Sequence, residues 1–165
     1  MFVRVGPYAV IQKGVTLGKG TMVGTHATVF YGARTGERCV IGRGVEIGPY
    51  VTLGDRVKVM GGAILCGYTE VGEGTFIGMG VITTNDDDAR RYENKVLDPV
   101  RIGSHCQIGA GAVLMPGVVI GDGSLIAGGA VVTHDVAPGS EVMGVPARPP
   151  VVRLPRWEMV EAAAR

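Results

Sequence analysis

Residues 82–91, ITTNDDDARR, bring an amide, three carboxylates and two guanidinium groups into one short stretch. Asn85 can accept a hydrogen bond from an amine through its side-chain carbonyl, or donate one from its amide nitrogen. Asp86, Asp87 and Asp88 can hold a cationic group, or pair with Arg90 and Arg91 on a solvated loop tip. Exposed pairs of that kind contribute about 0–1 kcal/mol. The chain has three histidines, His26, His105 and His134. His105, which follows the stretch, is the reserve candidate for a general base. Zinc requires several ligands at about 2.0–2.1 Å. No H-x4-H pair occurs, so no metal site is expected. Three tyrosines precede the stretch, Tyr31, Tyr50 and Tyr68. Their flat faces and polar tips suit a base or sugar ring.

These residues interrupt a six-residue rhythm. Aliphatic residues open successive frames at Val5, Ile11, Leu17, Val23, Val29, Ile41, Ile47, Leu53, Val59, Leu65, Val71 and Ile77. Only Thr35 and Thr83 break the aliphatic series. Glycine often follows the opener, and the fifth position is small or β-branched throughout. The frame resumes one residue out of phase at Val96 and continues through Ile102, Ile108, Leu114, Ile120, Ile126 and Val132. A period of six matches neither the 3.6-residue helix nor the spacing of an antiparallel meander. It matches short strands joined by tight corners, three to a coil, so that residues 18 apart stack. Adjacent coils then lie about 4.8 Å apart. The first and fifth positions point inward, and glycine serves where backbones approach one another.

On this prism the openers 11, 29, 47, 65 and 83 share the second face. If Val96 resumes on the third face, one corner carries Tyr31, Tyr50 and Tyr68 below Asn85. The same corner then carries Ala110-Gly111, Gly128-Gly129 and Pro146-Ala147 above it. Small residues stacked along an edge let a thin extended ligand lie against backbone groups. The tail, residues 151–165, loses the frame. Trp157 and Val160 are followed by alanines, and the spacing predicts a short helix from about residue 156. The expected organisation is therefore a β-solenoid over 1–150 with a loop at 84–95, then a helical tail at 151–165.

Composition narrows the function. The net charge is +1, from 16 basic and 15 acidic residues, which gives no polarity for nucleic acid or an anionic membrane. No apolar run approaches the roughly 18 residues of a membrane span, so no membrane insertion is expected. The N-terminus has no signal-peptide core. Cys39, Cys66 and Cys106 are odd in number and lack CxxC spacing, consistent with reduced thiols in a cytoplasmic protein.

The pattern [LIV]-G-x-x-[STAV]-x resembles the hexapeptide-repeat family. That resemblance implies an all-β fold, a left-handed parallel β-helix. The end of the chain, through Gly144, Val145, Pro146, Ala147 and Arg148, resembles acetyl-CoA-dependent members of the family. It implies a homotrimer, with the pantetheine arm along an edge between subunits. Ala110, Gly111, Gly128, Gly129 and Pro146 would line the arm, and Arg148 would reach a cofactor phosphate. Where maltose- and galactoside-type members carry a catalytic histidine, this chain has Asn85. Thr84, Asn85, Asp86 and an arginine at 90 or 91 resemble the N-acetyltransferases of nucleotide-linked amino sugars. The proline before the loop arginine is absent, and VGTHATVF at 23–30 replaces an early aromatic-and-histidine segment. The expected reaction is attack of an amine on a thioester, positioned by Asn85. Two alternatives remain open at this level. One is O-acetylation with His105 as base; the other is a non-enzymatic hexapeptide scaffold.

Overall fold

The computed structural model describes residues 2–86 and 97–150. Their strands are each two residues long and pair in parallel with the strand one coil away. They form three sheets, the faces of a left-handed parallel β-helix. The first face begins at Arg4–Val5 and rises through Met22–Val23, Val40–Ile41, Lys58–Val59 and Phe76–Ile77. It continues to Gln107–Ile108, Leu125–Ile126 and Glu141–Val142. The second face runs from Val10–Ile11 through Thr28–Val29, Glu46–Ile47, Ile64–Leu65 and Ile82–Thr83 to Val113–Leu114 and Val131–Val132. The third face comprises Arg34–Thr35, Thr52–Leu53, Glu70–Val71, Arg101–Ile102 and Val119–Ile120.

The inward positions are those the rhythm implies. Ile41, Ile47, Leu65, Ile77, Ile108, Leu114, Ile120 and Ile126 are fully buried, as are the fifth-position residues Ala27, Cys39, Val45, Val51, Val57 and Ala63. Glycine after the opener reflects contact between coils: a β-carbon on Gly18 would lie 2.0 Å from the carbonyl oxygen of Gly36. The two threonine openers have polar work inside the prism. The buried Thr83 hydroxyl accepts the Cys66 N–H at 2.8 Å and lies 3.0 Å from the Thr69 hydroxyl. Thr35 stands 3.5 Å from the Thr21 hydroxyl in the same way. Among the described residues no buried side-chain nitrogen or oxygen lacks a partner. The lowest coil departs from the expected pattern, since Val5 and Ile11 are 51% and 38% exposed. Among the described residues no coil lies beneath them, so their inward positions open at the end of the prism.

The excursion corrects the expected register. Ile102 pairs with Val71 on the third face, Ile108 with Ile77 on the first and Leu114 with Thr83 on the second. Each lies one face away from the position expected if Val96 began a third-face strand. The physical reason is the closure of the loop. The Asp98 N–H donates to the Asn85 carbonyl at 3.0 Å, so the chain leaves and regains the same corner without skipping a face. Val96, Asp87, Asp88, Arg90, Arg91 and the tail at 151–165 lie outside the described residues.

Candidate active site

The corrected register distributes the candidate residues over three corners. The corner between the second and third faces is linked upward by backbone hydrogen bonds. Tyr50 N–H donates to Tyr31 O, Tyr68 N–H to Pro49 O, and Gly117 N–H to Asp98 O. Tyr31, Tyr50, Tyr68 and Asn85 therefore share one edge, as expected. The rings form a ladder: Tyr31 meets Tyr50 edge-on at 5.4 Å, and Tyr50 stacks on Tyr68 at 5.2 Å. Tyr50 and Tyr68 hold left-handed φ angles of 55° and 65°, where a non-glycine residue costs about 1–2 kcal/mol. Beside them, Tyr50, Thr52, Tyr68, Glu70, Leu97 and Pro99 line an open groove of about 450 Å³.

Asn85 stands at the mouth of the loop, half-buried. Its Nδ2 donates to the Gly67 carbonyl at 3.1 Å, one coil below. That bond fixes the amide and makes Oδ1 the atom suited to receive an amine hydrogen. Asp86, beside it, is half-buried.

The small residues occupy a different corner, between the first and second faces. Gly111 N–H donates to Met79 O and Gly129 N–H to Ala110 O, which places Ala110-Gly111 and Gly128-Gly129 above Gly80. The edge expected to unite these residues with Asn85 is thus two edges, with the second face between them. Gly44, Gly62, Gly80, Gly111 and Gly129 all have positive φ, and a β-carbon on any of them would meet nothing within 4 Å. The result is an exposed backbone rail. Its upper end is closed by the return of residues 143–148, where Met143 and Arg148 bridge and Ala147 N–H donates to Val131 O. Pro146 and Arg148 are exposed there, and the Arg148 guanidinium lies 2.7 Å from the Ala147 carbonyl. The residues expected to hold a thin ligand therefore stay together.

His105 lies on the remaining corner, between the third and first faces. Its N–H donates to Glu73 O, and its ring covers Gly74, where a β-carbon would lie 2.6 Å from Nδ1. It is not beside Asn85, so one chain does not pair them. The three histidines occupy three different corners, and no group of metal-binding side chains occurs among the described residues. Burial raises the thiol pKa of Cys39, Cys66 and Cys106 above the ordinary value, so they remain protonated at neutral pH.

Sequence reasoning did not single out Asp98, and it named His134 without assigning it to a corner. Asp98 is where the loop rejoins the Asn85 corner, and His134 lies higher on that corner with Nδ1 2.9 Å from the Thr133 hydroxyl. Neither residue carries a motif. Their placement depends on where the loop re-enters, which the repeat leaves ambiguous by one face.

Comparison with known proteins agrees with this architecture. A family model described as "Bacterial transferase hexapeptide (six repeats)" matches residues 99–134. One described as "Hexapeptide repeat of succinyl-transferase" matches 14–49 and 32–66. The chain is a hexapeptide-repeat solenoid. No curated protein matches it by sequence. Among solved structures, the acetyltransferase domain of PglB from Neisseria gonorrhoeae FA1090 is 23% identical, with a TM-score of 0.62. That match covers 89% of this solenoid and 57% of the PglB chain. A mutant of perosamine N-acetyltransferase from Caulobacter crescentus, in complex with CoA and GDP-perosamine, is 23% identical at a TM-score of 0.57, covering 90% and 58%. AntD, an N-acyltransferase from Bacillus cereus, in complex with dTDP-4-amino-4,6-dideoxyglucose and coenzyme A, is 20% identical at a TM-score of 0.56, covering 95% and 90%. The solenoid thus spans a little over half the length of the first two relatives. At these identities the likeness establishes the fold.

Proposed function

We propose that this protein transfers the acetyl group of acetyl-CoA to an amine of a nucleotide-linked amino sugar. The observation that carries the reading is the Asn85 corner. There, an amide fixed by its bond to Gly67 stands over a ladder of tyrosines at the only long excursion from the repeat within 5–137. The PglB domain solved with acetyl coenzyme A, and the two relatives solved with CoA and an amino-sugar nucleotide, support the same reading.

The tyrosine ladder and its groove give the nucleotide end a flat apolar surface. Asn85 Oδ1 accepts a hydrogen from the acceptor amine and aims its lone pair. The glycine rail fits the pantetheine arm, because its backbone is open where side chains would intrude. Arg148, at the upper end of the rail, is placed to meet a phosphate of the cofactor. A neutral amine is a competent nucleophile toward a thioester, so positioning supplies much of the catalysis.

The reacting atoms must approach to about 3–3.5 Å. Gly80 and Asn85 are five residues apart along the second face, or about 16 Å at the rise of an extended strand. One chain therefore holds the donor and acceptor halves too far apart for direct contact. The second face between them carries Ile64, Ile82, Val113 and Val131 outward and in register. Turning that apolar strip toward a threefold axis buries it. The same rotation brings the glycine rail of one subunit to the Asn85 corner of the next, giving a homotrimer with three shared sites.

The test is thiol release from acetyl-CoA in the presence of 3-amino and 4-amino nucleotide sugars, with mass spectrometry of the product. The expected result is stoichiometric thiol and an amide stable to hydroxylamine. No release with any amine acceptor, together with no thermal shift on adding acetyl-CoA, would overturn the reading.

A further inference from the structure

Asn85 can aim an amine but cannot take its proton, and the three histidines do not supply a base beside it. The residue that returns the chain to the Asn85 corner offers one. Asp98 is bonded on both sides through its backbone, its N–H to Asn85 O at 3.0 Å and its carbonyl to Gly117 N–H at 2.8 Å. Loop closure therefore does not require its side chain. The carboxylate lies across Gly117, where a β-carbon would sit 2.1 Å from Oδ2. Gly117, at φ 74°, leaves the space that the carboxylate occupies.

Other acidic residues at the corners serve the fold. Asp55 accepts the Glu37 N–H at 2.8 Å, Asp122 the Ser104 N–H at 2.7 Å, and Asp135 the Val119 N–H at 2.8 Å. Among the described residues no backbone N–H binds the carboxylate of Asp98. It is exposed at the mouth of the loop, and the coil above is cut back to glycine to receive it.

Granted the acetyl-transfer reading, we propose that Asp98 is the general base for the acceptor nitrogen. The nitrogen lone pair attacks the thioester carbonyl carbon and forms the C–N bond. The carboxylate takes one N–H proton as the tetrahedral intermediate forms. The C–S bond then breaks, and the proton passes to the departing sulfur, leaving an amide, a free thiol and the carboxylate restored. Asn85 holds the nitrogen while Asp98 receives its proton, so the two residues that open and close the loop divide the work.

The experiment compares wild type, Asp98→Asn, Asp98→Glu and Gly117→Ala, all full length, for acetyl transfer and thermal melting. Asp98→Asn is expected to melt like wild type and to lose about 100-fold in kcat, the scale of a lost general base. KM for both substrates should stay within about threefold, and the residual rate should climb with pH beyond the point where wild type levels off. Asp98→Glu should recover part of the loss. Gly117→Ala retains the carboxylate but displaces it, and should lower kcat in the same way. An Asp98→Asn kcat within about threefold of wild type, or a loss confined to KM, overturns the proposal. An inactive wild type instead removes the acetyl-transfer reading beneath it, so the two failures are distinct.

Discussion

At the residue scale, the Asn85 corner combines fixed geometry with tolerated strain. Tyr50 and Tyr68 occupy backbone positions where glycine would be more comfortable, and they stack there instead of turning into the core. The same left-handed φ recurs at Tyr8, His26, Arg38, Arg56 and His105, so the corner geometry imposes it on these side chains. Asparagine tolerates left-handed φ well. Tyr68→Asn is therefore expected to melt within a few degrees of wild type while weakening the acceptor. Stacking of a base on an aromatic ring contributes about 1–3 kcal/mol, so KM for the sugar nucleotide should rise by roughly one to two orders of magnitude. Calorimetry and steady-state kinetics on the same preparation check both halves of this prediction. At this scale the sequence was legible where residue type alone mattered. Asn85 and the tyrosines stood out by chemistry, and the structure places them on one edge. Asp98 did not stand out, because an aspartate after a loop is ordinary until its closure onto Asn85 and its packing over Gly117 are known.

The element that organises the molecule is the two-residue strand with its glycine corner. Its period was readable because the interior has room for one large and one small side chain per face. The pattern also exposed Thr35 and Thr83 as exceptions without explaining them. The structure accounts for Thr83 through the Cys66 N–H, which needs a buried acceptor just below the Asn85 corner. Thr83→Val keeps the shape and removes the oxygen. An unsatisfied buried donor costs about 1–3 kcal/mol. The urea midpoint should fall accordingly with little change in slope, and Thr69→Val in the same background should add less than its single effect, because the two hydroxyls share a contact. The register after the loop was not legible. The repeat defines phase within a run of frames, whereas the number of faces a loop skips depends on a hydrogen bond between Asn85 and Asp98 that no periodicity encodes.

At the scale of the whole molecule, separation of the half-sites is the main consequence of the corrected register. A single edge bearing tyrosines, Asn85 and the glycine rail would have given a complete site within one chain. In the proposed trimer, two edges flanking an apolar face form a site that a neighbouring copy completes. Asn85→Ala impairs the acceptor half alone. Ala110→Trp, at an exposed residue on the glycine rail, blocks the donor half without altering a positive-φ position. Each variant alone should be inactive. In a cyclic trimer containing both kinds of subunit, one of the three junctions joins an intact acceptor corner to an intact rail. Co-refolding the two variants in equal amounts should therefore restore acetyl transfer to about a quarter of the wild-type rate, since about three in four trimers are mixed and each carries one good site. Recovery near that value is the result expected of a shared site. No recovery from mixed trimers, confirmed as mixed by two affinity tags, would contradict it.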